Sequence, residues 1–189
     1  MKKLNQQKKV YITYFVHGTT TDNEIDKATG WNPGELSALG IKQSIDLLGQ
    51  IKGKVFDSVF SSDLKRAIDS AKLTWGSDLK LVTDWRLREC NYGDLNCADG
   101  TKKDAIMPTC IEKKFPNGES YVDVEMRMHE FLHDLVSTKN EKHIAIVAHQ
   151  APQLALDVII HKKTWKEAME QDWRHHKAWK PGWEYVYEE

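Results

Sequence analysis

The chain has 189 residues, 40% of them hydrophobic and seven of them tryptophan. A chain of this length can bury about 70% of its unfolded surface, so we expect one domain over residues 1–189 rather than two. The 27 basic and 28 acidic residues nearly cancel to a net charge of −1, which argues against a nucleic-acid-binding surface.

Cysteine usage and hydropathy predict the compartment. Cys90, Cys97 and Cys110 are an odd set without a CxxC pair, which favours free thiols in a reducing compartment; a zinc site is the alternative. Residues 1–9 are basic, but the apolar run behind them does not have the features of a signal peptide. No segment approaches the ~20 apolar residues of a membrane helix, so we expect a soluble cytoplasmic protein without membrane partners.

Apolar periodicity predicts alternating strands and helices along the first third of the chain. Residues 10–16 form an apolar run that is typical of a strand buried on both faces. A loop rich in Thr, Asn, Asp and Gly follows over residues 19–34. Ile41, Ile45 and Leu48 then recur at helical spacing and predict a helix.

The middle of the chain repeats this order. Residues 55–60 are predicted to be a second strand, followed by a helix with Ser62 as its N-cap and Arg66 in its first turn. A short strand over residues 79–82 comes next. The irregular segment 84–118 contains the cysteines and two prolines, and we interpret it as a cover over an active site.

The last third adds a helix over residues 119–136, a strand that ends at Ala148 and a helix that opens near Pro152. The tail, residues 165–189, holds four tryptophans and closes on an alternating pattern typical of an edge strand. We expect this tail to pack on the sheet, with an aromatic ligand groove as the alternative. The element order predicts a three-layer α/β sandwich with a mostly parallel central sheet and helices on both faces.

Polar side chains follow three of the predicted strands. His17 and His149 each come directly after an apolar run, and Arg66 lies just beyond the run between them. Ligands of parallel sheets bind at the carboxyl ends of the strands, so these groups are expected to converge. A neutral His17 imidazole there could attack phosphorus and form a phosphohistidine. A purely structural histidine is the alternative.

Two further groups complete the predicted site. The helix behind His149 offers free N–H groups that favour an anion. Glu89 is the acidic residue suited to protonating a leaving oxygen, provided that burial raises its pKa; a solvated loop charge is the alternative.

Together these segments resemble the histidine phosphatase superfamily, also called the phosphoglycerate mutase-like family, over residues 14–155. The family's Arg-His-Gly-Glu-Thr motif corresponds to residues 17–20, and its Ser-Ser-Asp-Leu-x-Arg-Ala segment is intact at residues 61–67. Leu-Arg-Glu at 87–89 and Pro-Asn-Gly-Glu-Ser at 116–120 are similar to two further family segments.

The resemblance implies roles for four residues. His17 would be the phosphorylated nucleophile, Arg66 and His149 would hold the phosphoryl oxygens, and Glu89 would be the proton donor. The further residues that we predict to bind phosphate or substrate are Gly18, Thr19, Thr20, Asn23, Ser62, Arg88 and Gln150, with Trp31 and Tyr92 at the entrance or in a packing role.

The chain departs from the family pattern beside both histidines. The arginine that the family places before its nucleophile is Val16 here, and the usual glycine after the second histidine is Gln150. Loss of a bidentate arginine would slow phosphoryl transfer by about a hundredfold to a thousandfold unless another group replaces it. We hypothesise that Arg88 and the threonines at 19–21 compensate in part, with Gln150 as a further donor.

These motifs predict a phosphatase that hydrolyses a small phosphomonoester without a metal or another cofactor. The alternatives are a catalytically weak or silent phosphate-ester binder and a phosphomutase. A metal site at His175 and His176 is disfavoured, because adjacent residues project differently from a helix. The expected partner is a small phosphorylated molecule, and a homodimer is left open.

Overall fold

The computed structural model describes residues 8–140, 142–176 and 182–189. Residues 1–7, Trp179 and the side chain of His176, which enter the predictions above, lie outside the described residues. Among the helices of the described ranges, none combines the length and the apolar composition that a bilayer span requires.

Strands and helices alternate along most of the chain. The strands are β1 Lys9–Val16, β2 Lys27–Ala28, β3 Ser58–Ser61, β4 Leu81–Thr83, β5 Ala98–Asp99, β6 His143–Ala148 and β7 Trp183–Glu188. The helices are α1 Thr21–Glu24, α2 Ala38–Gln50, α3 Lys65–Trp75, α4 Gly100–Ile106, α5 Tyr121–Thr138, α6 Gln150–His161 and α7 Trp165–Glu170.

The central sheet has five strands in the order β4-β3-β6-β1-β7. The first four strands run parallel, and β7 pairs antiparallel with β1 at the edge, with Tyr14 opposite Trp183. The predicted edge strand in the tail is therefore confirmed. The parallel strands bring the residues after β1, β3 and β6 to one edge of the sheet, which the fold prediction required.

The two faces of the sheet bury different side chains, because successive residues of a strand point to opposite sides. On one face, Ile12, Ile144 and Ile146 pack in the larger core with α5 and α6. On the other face, Phe15 and Val147 pack in a smaller core with residues of α2 and α3. The predicted three-layer α/β sandwich is confirmed.

Several local predictions need correction. The segment 84–118 is not irregular throughout, since it contains α4 and the strand β5, which pairs with β2 in the loop after β1. Ser62 is not the N-cap of α3: Leu64 holds that position, and the Ser62 hydroxyl accepts from the Leu64 N–H.

The position of α2 is confirmed, but the face that this helix buries is not the apolar one. Ile41, Ile45 and Leu48 are 42%, 52% and 55% exposed. The buried residues include Gly40 and Ser44 instead. At Gly40 an added Cβ would lie 1.9 Å from the backbone oxygen of Thr19, so only a glycine lets α2 approach the loop behind β1.

Candidate active site

The backbone around His17 is held in place from both sides. The ring Nδ1 lies 2.7 Å from the Gly18 carbonyl oxygen, and the Gly18 N–H donates to the Ser70 hydroxyl. A Cβ at Gly18 would lie 2.4 Å from the Gly40 carbonyl oxygen. Gly18 is therefore required for the close contact between this loop and α2, and through it for the position of the His17 ring.

These contacts fix the tautomer of His17. A carbonyl oxygen can only accept, so the imidazole proton is on Nδ1 and the lone pair is on Nε2. Arg66 Nε lies 3.3 Å from that Nε2 and donates to it. Burial, and then the positive charge of Arg66, lower the pKa of His17 to about 3. His17 is thus neutral at physiological pH, with its Nε2 lone pair in the state that a nucleophile needs.

His149 is placed beside His17 by β6, which pairs with β1. The two ring centroids are 5.1 Å apart. Tyr14, on β1, donates its hydroxyl proton to the His149 carbonyl oxygen at 2.7 Å and accepts from the His149 N–H at 2.9 Å. A single buried hydroxyl therefore fixes the backbone of the second histidine.

The side chain of His149 is held by Ser62. The two atoms, Ser62 Oγ and His149 Nε2, lie 2.6 Å apart. We assign the hydroxyl proton of Ser62 to the bond with Nε2, an assignment that places the imidazole proton on Nδ1. That Nδ1 is buried and without a hydrogen-bond partner among the described residues. Burial is the main cause of the low pKa of His149, with Arg66 and His17 next.

Arg66 is 1% exposed and is bound through all three of its nitrogens. Besides the bond from Nε to His17, NH1 donates to the carbonyl oxygens of Asn32 and Pro33, and NH2 donates to that of Gly30. The guanidinium thus ties the loop before α2 to the nucleophile.

Glu89 lies at the amino terminus of α6. One carboxylate oxygen accepts from the N–H groups of Cys90 and Ala151, and the other accepts from the Gln150 N–H. Glu89 is 8% exposed, so it is buried beside the second histidine rather than solvated on a loop. This position satisfies free N–H groups of the helix with a carboxylate.

His17, Arg66 and Glu89 line one cleft of about 970 Å³. The loop after β1 contributes Thr19 and Asn23 to its wall. Segment 84–118 contributes Tyr92, Lys103, Asp104, Met107 and Pro108, and the carboxy-terminal part of the chain contributes Met169, Glu170, Asp172, Trp173, Arg174 and His175.

The threonines beside His17 mainly organise their own loop. The N–H and hydroxyl of Thr19 both donate to Gln43 Oε1 at 2.9 Å. Thr20 is buried as the N-cap of α1 and forms a capping box with Asn23. Their hydroxyls are therefore engaged in local structure, which weakens the hypothesis that they replace an arginine.

Arg88 lies outside the cleft lining, contrary to the hypothesis that it stands in for the absent arginine. It binds Asp63 through two hydrogen bonds of 2.6 Å, and its guanidinium lies over the Trp31 ring at 4.7 Å from the centroid. The Trp31 indole N–H in turn donates to the Glu89 carbonyl oxygen. Trp31 therefore supports the backbone of Glu89 rather than lining the entrance, whereas Tyr92 does line the cleft.

The sequence offered a ligand groove in the tail only as an aromatic alternative to packing, and Trp173 does line the cleft, but the polar residues of the tail were not predicted to reach it. Asp172 is 4% exposed, and its carboxylate accepts from Gln150 Nε2 and from Arg174 NH1. Gln150 lines the cleft, and one N–H of its amide links α6 to the tail. The only signal in the sequence is a cation inside an aromatic segment, a pattern that is equally typical of packing.

The described side chains include the three cysteines but not His176, one of the two histidines of the disfavoured metal site. Within residues 8–140, 142–176 and 182–189, no three His, Cys, Asp or Glu side chains are grouped so that they could hold a metal ion. Cys90 and Cys110 are buried, whereas Cys97 is exposed and accepts from the Asn32 amide.

Comparison with known proteins agrees with this geometry. The family model of the histidine phosphatase superfamily, branch 1, matches residues 14–177. The chain belongs to the histidine phosphatase superfamily. The match extends past the second histidine and reaches the tail segment that contains Asp172 and Arg174.

Individual relatives of the superfamily differ in activity. A 2,3-bisphosphoglycerate-dependent phosphoglycerate mutase of Buchnera aphidicola is 35% identical over 106 residues, which are 52% of this chain and 44% of the mutase. The matched part of the chain covers less than two thirds of the length of each of the curated relatives with which it was compared.

Solved structures cover more of the chain. Mycobacterial glucosyl-3-phosphoglycerate phosphatase, in complex with VO3, has a TM-score of 0.73 and 26% identity over 87% of both chains. Bacillus stearothermophilus YhfR has a TM-score of 0.77 at 19% identity, over 86% of this chain and 85% of its own, and shows the shared fold.

Proposed function

We propose that this protein is a phosphatase that hydrolyses a small phosphomonoester through a phosphohistidine on His17. The observation that carries the proposal is the state of this ring: its Nε2 is unprotonated, its pKa is about 3, and Arg66 and His149 lie beside it. The lone pair and the neighbouring donors match what a nucleophile at phosphorus needs.

The first step transfers the phosphoryl group to the protein. A bond forms between His17 Nε2 and phosphorus while the ester P–O bond breaks. A proton passes from Glu89 to the leaving oxygen, which departs as an alcohol, and the N–H groups of Cys90, Gln150 and Ala151 stabilise the carboxylate that this transfer leaves. Arg66 and the Nδ1–H of His149 stabilise the charge on the phosphoryl oxygens.

The second step returns the protein to its starting state. A water molecule attacks phosphorus, the P–Nε2 bond breaks, and the carboxylate of Glu89 takes the proton of the water. The products of the two steps are the alcohol and inorganic phosphate. Because a histidine nitrogen is the nucleophile, neither step requires a metal ion.

We favour hydrolysis over mutase action, although mutases are among the relatives. The names of the mycobacterial phosphatase and of the Buchnera mutase both concern phosphorylated glycerates, so a small phosphomonoester fits either. The preference rests on segment 84–118, which is short for a cover that must retain and reorient a phosphorylated intermediate.

A silent phosphate-ester binder is the second candidate, and one observation favours it. Arg66 donates three hydrogen bonds to backbone carbonyl oxygens of residues 30–33 and one to His17. A guanidinium whose N–H groups are already bound to the protein stabilises a transition state less than a guanidinium with free N–H groups does. Such a protein would hold an anion near the histidines without turnover.

A panel of phosphomonoesters, assayed for phosphate release in the presence of EDTA, tests the proposal. We expect release by the wild type, a loss of at least about a thousandfold in His17→Ala, and no loss in His129→Ala, which removes a histidine that is half-exposed on α5. Acid-labile phosphate on His17 after a quench would support the intermediate. If the wild type releases no more phosphate than His17→Ala does, the proposal is wrong and the silent phosphate-ester binder remains. Phosphate that moves between positions of the substrate would indicate a mutase.

A further inference from the structure

The donors at Arg66 are too few for a phosphoryl group. A guanidinium carries five N–H bonds, and four of those of Arg66 are used by His17, Gly30 and the two carbonyl oxygens of residues 32 and 33. A bound phosphoryl group presents three oxygens and at least one negative charge. A second cation in the same cleft would complete its coordination.

Arg174 is the second arginine in the cleft lining, and its guanidinium is only partly engaged. Its hydrogen bonds to described residues leave from NH1 alone, at 2.7 and 2.9 Å to the two carboxylate oxygens of Asp172. The group also lies over the Trp173 ring, 4.8 Å from the centroid. Nε and NH2 together carry three N–H bonds that no described residue accepts, and the side chain is 30% exposed.

The charge of Arg174 also acts on the two histidines. Burial is the main cause of the low pKa of His17 and of His149, and Arg174 is a further cause for both rings. A cation that is close enough to disfavour a second positive charge on these rings is also close enough to stabilise a negative charge between them.

A buried carboxylate holds Arg174 in this place. Asp172 binds the guanidinium on one side and accepts from the Gln150 amide on the other. Gln150 is the first residue of α6 and directly follows His149. The side chains of Gln150 and Asp172 therefore connect the backbone at the second histidine to the arginine.

We propose that Arg174 binds the phosphoryl group in the cleft through Nε and NH2, in the role that Val16 cannot fill, and that Asp172 is its positioning residue. A role of Arg174 in turnover rests on the proposed function. A role of Arg174 in binding an oxyanion does not depend on that function.

Two lysines in the cleft lining are the competing cations. Lys103 is paired with Asp104, and its single ammonium lies over the Tyr92 ring, 5.6 Å from the centroid. Lys27 is exposed on β2 and offers a single ammonium, without the forked geometry that matches two phosphoryl oxygens. Lys27→Ala therefore shows whether loss of any nearby positive charge weakens anion binding as much as loss of the Arg174 guanidinium does.

The test measures the affinity of the full-length protein for orthovanadate by isothermal titration calorimetry, which needs no turnover. We expect Arg174→Ala to weaken vanadate binding about 10- to 100-fold and Arg174→Lys to weaken it less, because a lysine keeps the charge but loses the fork. Asp172→Asn should weaken it about 3- to 10-fold, since the arginine remains but is less well oriented. Lys166→Ala, an exposed charge on α7, is the matched control and should change the affinity less than about twofold.

Chemical rescue distinguishes binding from a structural role. Guanidinium ion at about 20 mM should restore vanadate affinity to Arg174→Ala and leave Lys166→Ala unchanged, because a small cation can occupy the place of the lost side chain. If Arg174→Ala fails to fold, the folded Arg174→Lys variant still provides the comparison with the wild type.

The outcomes separate this inference from the proposed function. Vanadate affinity that is the same in Arg174→Ala and wild type would overturn the inference, as would a loss that Lys27→Ala reproduces and guanidinium does not restore. If Arg174 contributes to vanadate binding but the protein releases no phosphate from phosphomonoesters, the proposed hydrolysis is wrong and the role of Arg174 in oxyanion binding is still supported.

Discussion

Two regions of this protein bring an arginine to the same cleft, and they hold it in opposite ways. At the sheet edge, Arg66 is 1% exposed and bound through every nitrogen. In the carboxy-terminal segment, Arg174 is 30% exposed and bound to described residues through one side-chain nitrogen. The difference indicates that Arg66 orders the nucleophile and its loop, whereas Arg174 keeps donors for a ligand.

The largest expected effect separates these two roles by stability. Arg66→Ala should lower the free energy of unfolding by about 3 kcal/mol, because it removes a buried side chain and leaves the carbonyl oxygens of Gly30 and Asn32 without the guanidinium as donor. Arg174→Ala should cost about 1 kcal/mol, since Asp172 keeps the Gln150 amide and the backbone N–H of residue 174 as partners. Urea denaturation measures both, with Lys72→Ala on the exposed side of α3 as the control. Equal losses in the two arginine variants would contradict the distinction.

The histidines at the sheet edge should make stability depend on pH, whereas the carboxy-terminal arginine should not. The pKa of His17 is about 3 in the folded protein and about 6.5 in the unfolded chain, and that of His149 is also lowered. Between these values the unfolded state binds more protons, so stability rises with pH.

The expected slope from His17 is up to about 1.4 kcal/mol per pH unit between about pH 3 and about pH 6.5, and the lowered pKa of His149 adds to it in the same direction. His17→Gln should reduce this slope in urea titrations at a series of pH values. His133→Gln is the control, because His133 is exposed and its ion pair with Glu189 raises its pKa. A slope that His17→Gln leaves unchanged would show that burial does not keep His17 neutral in the folded protein.

A smaller effect concerns the hydroxyl that fixes the second histidine. Tyr14→Phe removes the partner of the His149 N–H and one of the two donors to its carbonyl oxygen, which should cost about 1 to 3 kcal/mol of stability and lower phosphate release. Tyr11→Phe, on the exposed side of the same strand, is the matched control. If the two variants behave alike, Tyr14 has no positioning role.

The smallest effect is expected for the arginine that belongs to neither region of the cleft. Arg88→Ala removes a partly exposed pair with Asp63, so it should cost less than about 1 kcal/mol and change vanadate affinity less than about twofold. A tenfold loss of affinity would restore Arg88 as the compensating group and would weaken the case for Arg174.

The order of strands and helices could be predicted because it depends on local patterns. Buried parallel strands such as β1 and β6 are continuous apolar runs, and residues after such strands must meet at one sheet edge. His17, Arg66 and His149 were found in this way and Glu89 from its similarity to a family segment, and the structure brings these four together.

The rest depended on contacts between distant segments. The face that α2 buries is set by the close approach of Gly18 and Gly40, which outweighs the apolar stripe of Ile41 and Ile45. Arg88 is close to Glu89 in sequence, but a bidentate pair with Asp63 holds it away from the cleft. Arg174 is distant from β1 in the sequence, and only the tertiary fold shows that its segment lines the site.

A crystal structure of the protein with orthovanadate tests the central claim most directly. We expect vanadium within bonding distance of His17 Nε2, with the vanadate oxygens accepting hydrogen bonds from His149 and from Nε and NH2 of Arg174. Vanadate bound away from the two histidines, or bound to them with Arg174 turned out of the cleft, would contradict it.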